Sequence, residues 1–289
     1  MRMLNYFVFY GAWILLSLFL LQTGRWIPSV VTAGMGNVFI LMMLLGLSFV
    51  SRHYQLRIEP SLKQRLPQRL LVLAVCVLIF GSGYTMVTLL GIQGNLISAI
   101  HTANLLFFAC VLGSWLTEPL KRPAELIPLC LVMSLIDIFS VFQGPTRELT
   151  SNLVGYYGSG QPGPPPLVDY ILIKLPLPGQ SSLLPVFGVS DWIMIVMLSA
   201  AAAKFGMNDN ILHRFGKVYF PVAAMGLVAT ILAARELDMY LPALPMIAVC
   251  FLAVMSFKFP EVRHLTRNEL RPMALFTAFA GGLFVIARL

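Results

Sequence analysis

Two aspartates lie inside long apolar runs: Asp137 in ELIPLCLVMSLIDIFSVFQ and Asp191 in LLPVFGVSDWIMIVMLSAAAA. The chain carries twelve carboxylate side chains, and the other ten fall in loops or at the ends of apolar runs. A carboxylate near the centre of a membrane helix costs roughly 2.5–3.5 kcal/mol on insertion scales, so it usually faces a partner or a water-filled cavity. Two of them on consecutive predicted helices point to a pair. Close carboxylates cannot both ionise easily, so they share a proton and titrate as a unit. Such a pair can activate water and protonate a leaving amine, the two halves of peptide-bond hydrolysis.

The elements that must position this pair follow from composition. Hydrophobic residues make up 58%, charged residues 11%, and mean hydropathy is +0.83. These values exclude a soluble globular class and define an all-α, polytopic transmembrane helix bundle. A spanning helix needs about 20 mostly apolar residues. The pattern predicts about nine: 5–22, 28–51, 69–91, 95–117, 125–143, 183–204, 217–235, 240–258 and 272–288. The first is read as a retained helix, because no small-x-small cleavage site precedes Arg25. The whole, 1–289, reads as one membrane domain. It divides into an N-terminal helix group (1–124), a catalytic core (125–258) with an outside loop at 144–182, and an extra C-terminal helix (259–289).

Charge fixes the expected orientation. Of the twenty Lys and Arg, only Arg25, Arg147, Lys174, Arg235 and Arg288 fall on one side of this topology. The basic side faces the cytoplasm, which places the N-terminus inside and the C-terminus outside. The net charge of +8 then reflects this bias and contact with anionic headgroups. The basic residues are scattered over short loops, so no nucleic-acid partner is implied. The chain has no Asn-x-Ser/Thr sequon, which is compatible with a prokaryotic plasma membrane.

Other reactive side chains read as structural. Cys76, Cys110, Cys130 and Cys250 all fall in apolar spans and match no zinc or disulfide spacing. His101, Asn95 and Asn104 share the fourth span and read as interhelical hydrogen-bond formers. His53, His213 and His264 lie in loops and form no metal set. No metal and no cofactor is expected.

Depth ties the site together. Asp137 falls about 9 Å and Asp191 about 12 Å below the outer ends of their spans, at 1.5 Å rise per residue. Pro242 and Pro245 begin the eighth span at the same side, where a broken backbone ladder could line a cavity. The spacing predicts a water-accessible pocket opening outward. Upstream of Asp191, Tyr170 to Leu175 is β-prone and bracketed by Pro and Gly. A short strand there could pair with an extended peptide, with Ile171 and Ile173 as candidate substrate contacts.

At these residues the chain resembles a known family. Ile136-Asp137-Ile138-Phe139-Ser140-Val141 looks like the Tyr-Asp motif of presenilin-type intramembrane aspartyl proteases. Gly188-Val189-Ser190-Asp191 looks like their Gly-x-Gly-Asp motif, and Pro242-Ala243-Leu244 matches their Pro-Ala-Leu motif. Ile173-Lys174-Leu175-Pro176 is similar to the corresponding part of signal peptide peptidases. The resemblance covers about residues 69–258. It implies a presenilin-like fold and an aspartic-type endopeptidase that hydrolyses peptide bonds within transmembrane helices or signal peptides. Asp137 and Asp191 would be the catalytic dyad. Gly188 would allow close approach, with Pro242, Ala243 and Leu244 shaping the site beside it. An outside catalytic loop is similar to signal peptide peptidase, so transmembrane substrates of type II orientation are favoured.

The chain departs from the family at two positions: Ile136 stands for tyrosine, and Ser190 for the second glycine. Ser190 could hydrogen-bond Asp191 or crowd the site. Three other functions fit parts of the pattern: a presenilin-like membrane protein that binds without cleaving, a proton-coupled transporter using the acidic pair, and a prepilin-peptidase-like enzyme.

Overall fold

The computed structural model describes residues 2–63, 65–92, 94–142, 165–213, 218–237 and 241–265, a few positions between 152 and 163, and residues 274–275. Most of the predicted span 272–288 and most of residues 144–164, the first part of the predicted outside loop 144–182, lie outside the described residues.

The chain is mainly helical. The helices are α1 (Arg2–Gly24), α2 (Thr32–His53), α3 (Glu59–Lys63), α4 (Leu66–Leu90), α5 (Asn95–Leu116), α6 (Leu126–Phe142), α7 (Val189–Lys204), α8 (Val222–Leu237) and α9 (Ala243–Lys258). A π turn at Tyr54–Ile58 carries α2 into α3. Pro near the start of α4 sits where its missing N–H costs nothing. Gly91, at φ 64, ends the same helix in the left-handed conformation that glycine tolerates. Among the described residues, five helical stretches are long and apolar enough to cross a membrane: Leu4–Gly24, Gly34–Lys63, Leu66–Leu90, Asn95–Leu116 and Pro123–Val141.

α5 is the central post. It packs against α7, α4, α1 and the strand region. Phe107 on α5 holds a ring cluster, with Phe9 at 5.1 Å, Tyr10 at 5.5 Å, Tyr6 at 5.7 Å and Tyr54 at 5.8 Å between centroids. Two glycines sit at close backbone crossings. A Cβ on Gly113 would sit 2.8 Å from the Ile193 carbonyl oxygen of α7, and one on Gly226 of α8 only 2.4 Å from the Ile247 Cα of α9. Small residues let helix backbones approach this way. Lys204, in the last turn of α7, donates to the carbonyls of Thr117, Glu118 and Leu120 at 3.0, 2.8 and 2.6 Å. It thereby satisfies the open end of α5 with a cation.

One feature departs from the all-α expectation. β1 (Leu172–Leu175) and β2 (Leu184–Gly188) form an antiparallel pair, with Leu172 opposite Gly188, Ile173 opposite Phe187 and Leu175 opposite Leu184. The register slips between Ile173 and Lys174, beside Pro185, which has no N–H to give the ladder. The strand expected near 170–175 is therefore not isolated. The first part of the predicted span 183–204 is its partner rather than helix, because Pro185 and the β-prone Val186 and Phe187 precede the first good helix stretch. The connecting turn is held at two points. Gly179 donates to the Gly24 carbonyl at 3.1 Å, and Arg25 and Asn95 both donate to the Ser181 carbonyl at 3.0 Å.

Candidate active site

Asp191 stands at the joint between β2 and α7. Gly188 is the extended residue that caps the helix (φ −75, ψ 152), and Asp191 is the third helical residue. The Gly188 N–H donates to Asp191 Oδ2 at 3.0 Å. Glycine has no side chain to return the bond, so only the carboxylate half of a capping box exists here. Asp191 thus lies in the first turn, not eight residues inside a helix as the span prediction had it. It is still buried, at 8% exposure. Behind it, Trp192 is fully buried, and its indole N–H donates to Ser51 Oγ at 3.0 Å.

Asp137 lies on α6, five residues before its end at Phe142. Its Oδ2 accepts the Leu244 N–H at 3.0 Å, and the Ala243 N–H is also directed at this carboxylate. Pro242 is the extended cap of α9 (φ −64, ψ 123), and Pro245 falls in the first turn. The two prolines therefore do not break a helix. They begin one, at positions whose N–H groups have no intrahelical acceptor in any case. What leaves those amides accessible is the helix start itself, and Asp137 receives them from a different helix.

Both acids therefore take N–H groups from helix N-termini, where the helix dipole favours negative charge. α9 packs against α6, α8 and α7, and so ties the Asp137 helix to the Asp191 helix. The two carboxylates lie within electrostatic reach of each other. Around them the surface is open: Ile136 is 56% and Phe139 38% exposed, and Ser190 is exposed as well. A close carboxylate pair can hold one proton between two groups and orient a water.

The remaining predicted residues divide. Gly188 adjoins the site directly, since a Cβ there would lie 3.5 Å from Asp191 Oδ2 and 3.1 Å from Ser190 Oγ. Pro242, Ala243 and Leu244 adjoin Asp137 through the bonds above. Ser190 is exposed, and the bond Asp191 accepts comes from the Gly188 N–H. Ile171 is 42% exposed in the turn before β1. Ile173 is fully buried in the core, so its side chain cannot meet a substrate.

Two further charged centres escaped the sequence reading. Asp169 is fully buried and is paired with Lys174 in β1, while Tyr157 donates to its Oδ1 at 2.8 Å. His101, expected to bridge helices, instead contacts the Tyr170 carbonyl at 2.8 Å, whereas Asn104 does bridge, to the Cys76 carbonyl at 2.9 Å. Asp169, Lys174, Tyr157, His101 and Tyr170 line a cavity of about 300 Å³ that does not include Asp137 or Asp191. The other centre surrounds Asp209 beyond the end of α7. A carboxylate in a segment rich in Pro or Asn reads as loop polarity, and only its burial marks it.

The fold and site define a mainly helical protein in which, among the described residues, five helical stretches are long and apolar enough to span a membrane, and Asp137 and Asp191 stand on α6 and α7 where α9 packs against both. No protein-family model matches the chain, and no curated protein or solved structure matches it either.

Proposed function

We propose that the protein is an intramembrane aspartyl endopeptidase of the presenilin and signal peptide peptidase type. The observation that carries this reading is that Asp137, on α6, accepts the Leu244 N–H at the start of α9, while Asp191 stands in the first turn of α7, against which α9 also packs. In the proposed reaction the ionised carboxylate takes a proton from a water lying between the two acids. The water oxygen bonds to the scissile carbonyl carbon, and the protonated carboxyl gives its proton to the carbonyl oxygen. Collapse of that intermediate breaks the C–N bond, and the amine leaves with a proton from the dyad.

The substrate is a transmembrane helix, favoured in type II orientation, that unwinds locally so that its carbonyl is exposed. β2 runs straight into the turn that carries Asp191. An extended peptide laid on the open edge of the β1–β2 pair would pass its backbone by the two acids. The bilayer is the prokaryotic plasma membrane, with the N-terminus cytoplasmic, the C-terminus outside and the strand pair on the outer side. The described residues 29–31 and 176–183 then lie at that surface.

The test is cleavage of a transmembrane peptide by the purified protein in detergent, with mass spectrometry of the products. Loss of cleavage in Asp137→Ala and Asp191→Ala is expected. Full cleavage by Asp191→Ala would reject the mechanism.

A second reading has a specific basis: each aspartate also serves as a helix cap, a role that needs no reaction. A non-enzymatic membrane binding protein would bind the peptide without product, and an aspartyl-protease transition-state mimic would not compete. Proton-coupled flux in proteoliposomes without peptidase activity would point to a transporter instead.

A further inference from the structure

At the opposite end of α7 from the aspartate pair lies another polar centre. The helix ends at Lys204, and Gly206, at φ 69, turns the chain away. A cavity of about 450 Å³ opens there, lined by Arg52, Gly206, Asn208, Asp209, His213 and Tyr219 among others. Asp209 is 6% exposed, and the Tyr219 hydroxyl lies 3.1 Å from its Oδ1 and 3.0 Å from its Oδ2. The same hydroxyl contacts Ser199 Oγ on α7. The Arg52 guanidinium carbon sits 4.8 Å above the Tyr219 ring. Arg52 donates to Gln55 at 3.2 Å, and Gln55 donates to Ser199 at 3.3 Å. The π turn at Tyr54–Ile58 begins just where this network leaves α2, and π turns inside helices are frequent at functional sites. Peptide hydrolysis at Asp137 and Asp191 uses none of these groups.

The cavity has two poles of opposite charge. Arg52 supplies the positive one, and His213 also lines the cavity. Asp209 supplies the negative one, reinforced by the partial negative charge of the α7 C-terminus. Asp209 would repel a purely anionic ligand, and Arg52 a purely cationic one. A ligand carrying both charges a few ångströms apart meets both. The cavity volume lies within the range of small-ligand sites, roughly 300–1,000 Å³. It also lies where α2 and α7 end, on the side predicted to face the cytoplasm, at the level of lipid headgroups. We propose that this cavity binds a phosphoethanolamine group, with the phosphate toward Arg52 and His213 and the ammonium toward Asp209. A primary ammonium has N–H donors for the carboxylate, whereas the trimethylated group of choline has none. The headgroup chemistry stands apart from the protease reading, and its lipid source rests on the membrane placement.

The experiment is native mass spectrometry of the purified full chain, released from detergent micelles carrying equal phosphatidylethanolamine, phosphatidylcholine and phosphatidylglycerol. Retention of phosphatidylethanolamine about tenfold above each of the others is expected, a ratio of about 1.4 kcal/mol. Asp209→Asn and Arg52→Met should each bring that preference to about one, while Arg52→Lys keeps part of it. Asp137→Asn should leave it unchanged, which separates failure here from failure of the protease reading. Soluble O-phosphoethanolamine is the second arm. Saturable binding of it by wild type but not by Asp209→Asn, without lipid preference, would support the chemistry and identify a free ligand. Equal retention of all three lipids with no binding of the soluble compound would overturn the proposal. So would a preference for phosphatidylglycerol, or one that survives both charge-removing variants.

Discussion

The backbone N–H of Leu244 donates to the carboxylate of Asp137 across 3.0 Å. The residues are 107 positions apart in sequence, and this bond makes one helix's half-buried acid the cap of another helix's first turn. Position and chemistry can be separated here. Asp137→Asn keeps an oxygen for the Leu244 N–H but cannot act as base. Peptide cleavage should fall by a factor on the order of 100 or more, while the thermal midpoint in detergent stays near wild type. Asp137→Leu should lose the cap too, at about 1 kcal/mol. Equal thermal midpoints for the Asn and Leu variants would show that the bond does not matter to stability.

Gly188 has an extended backbone at φ −75, so any residue can adopt its conformation. Its constraint is space, since an added Cβ meets Ser190 Oγ at 3.1 Å and Asp191 Oδ2 at 3.5 Å. Gly188→Ala should fold normally and cleave several-fold more slowly. Because Ser190 is exposed and its hydroxyl is the nearer obstacle, adding Ser190→Ala should recover much of the rate. A double variant no faster than Gly188→Ala would refute this account.

Gly226 and Gly113 set helix crossings that carry the site. At Gly226 the obstacle to a methyl is the Ile247 backbone, which cannot rotate aside. Gly226→Ala should destabilise by about 1–3 kcal/mol through overpacking and shift α9, so activity and stability fall together. Gly81, whose added Cβ meets nothing within 4 Å, is the control: Gly81→Ala should change neither.

Asp169 and Lys174 form a buried pair, with side chains 1% and 13% exposed. Lys174→Met leaves a carboxylate buried with its cation gone, which costs roughly 3–5 kcal/mol where the site cannot relax. Replacing both as Asp169→Asn and Lys174→Met should cost clearly less. Thermal unfolding of the single and double variants in detergent measures the difference.

Asp209 gives a pH prediction. Burial pushes its carboxyl above the ordinary value of 3.8, against an opposing pull from the Tyr219 and Ser199 hydroxyls and Arg52. A raised carboxyl holds its proton more tightly folded than unfolded. Its contribution to stability is therefore full below pH 3.8 and is lost as pH rises through the folded value. Asp209→Asn has no such loss. Its stability relative to wild type should improve as pH rises above 3.8 and level off once the folded carboxyl has ionised, read as the difference in thermal midpoint. A constant difference would contradict the shift.

The helices were legible because their signal is local. Runs such as Asn95–Leu116 are apolar over a whole span, and no tertiary contact is needed to see that. The acidic pair was legible for the opposite reason, as two charges in an apolar setting. The strand at Leu184–Gly188 was not, because an apolar run reads alike as strand or helix over a short length, and its partner β1 decides between them. The misplaced helix start then put Asp191 too far inside its helix. Asp169 and Asp209 were invisible as buried groups, since loop composition carries no record of what packs over it.

By itself the sequence determined an apolar helical chain, the positions of its first five long helices to within a few residues, and the identity of two out-of-place carboxylates. Hydropathy and period are properties of neighbouring residues, so they need only the chain. The tertiary structure alone decided that α9 begins against Asp137, that β2 ends against Asp191, and that glycine-allowed crossings bring the helices involved together. Those are relations between residues far apart in sequence, and only packing in three dimensions sets them.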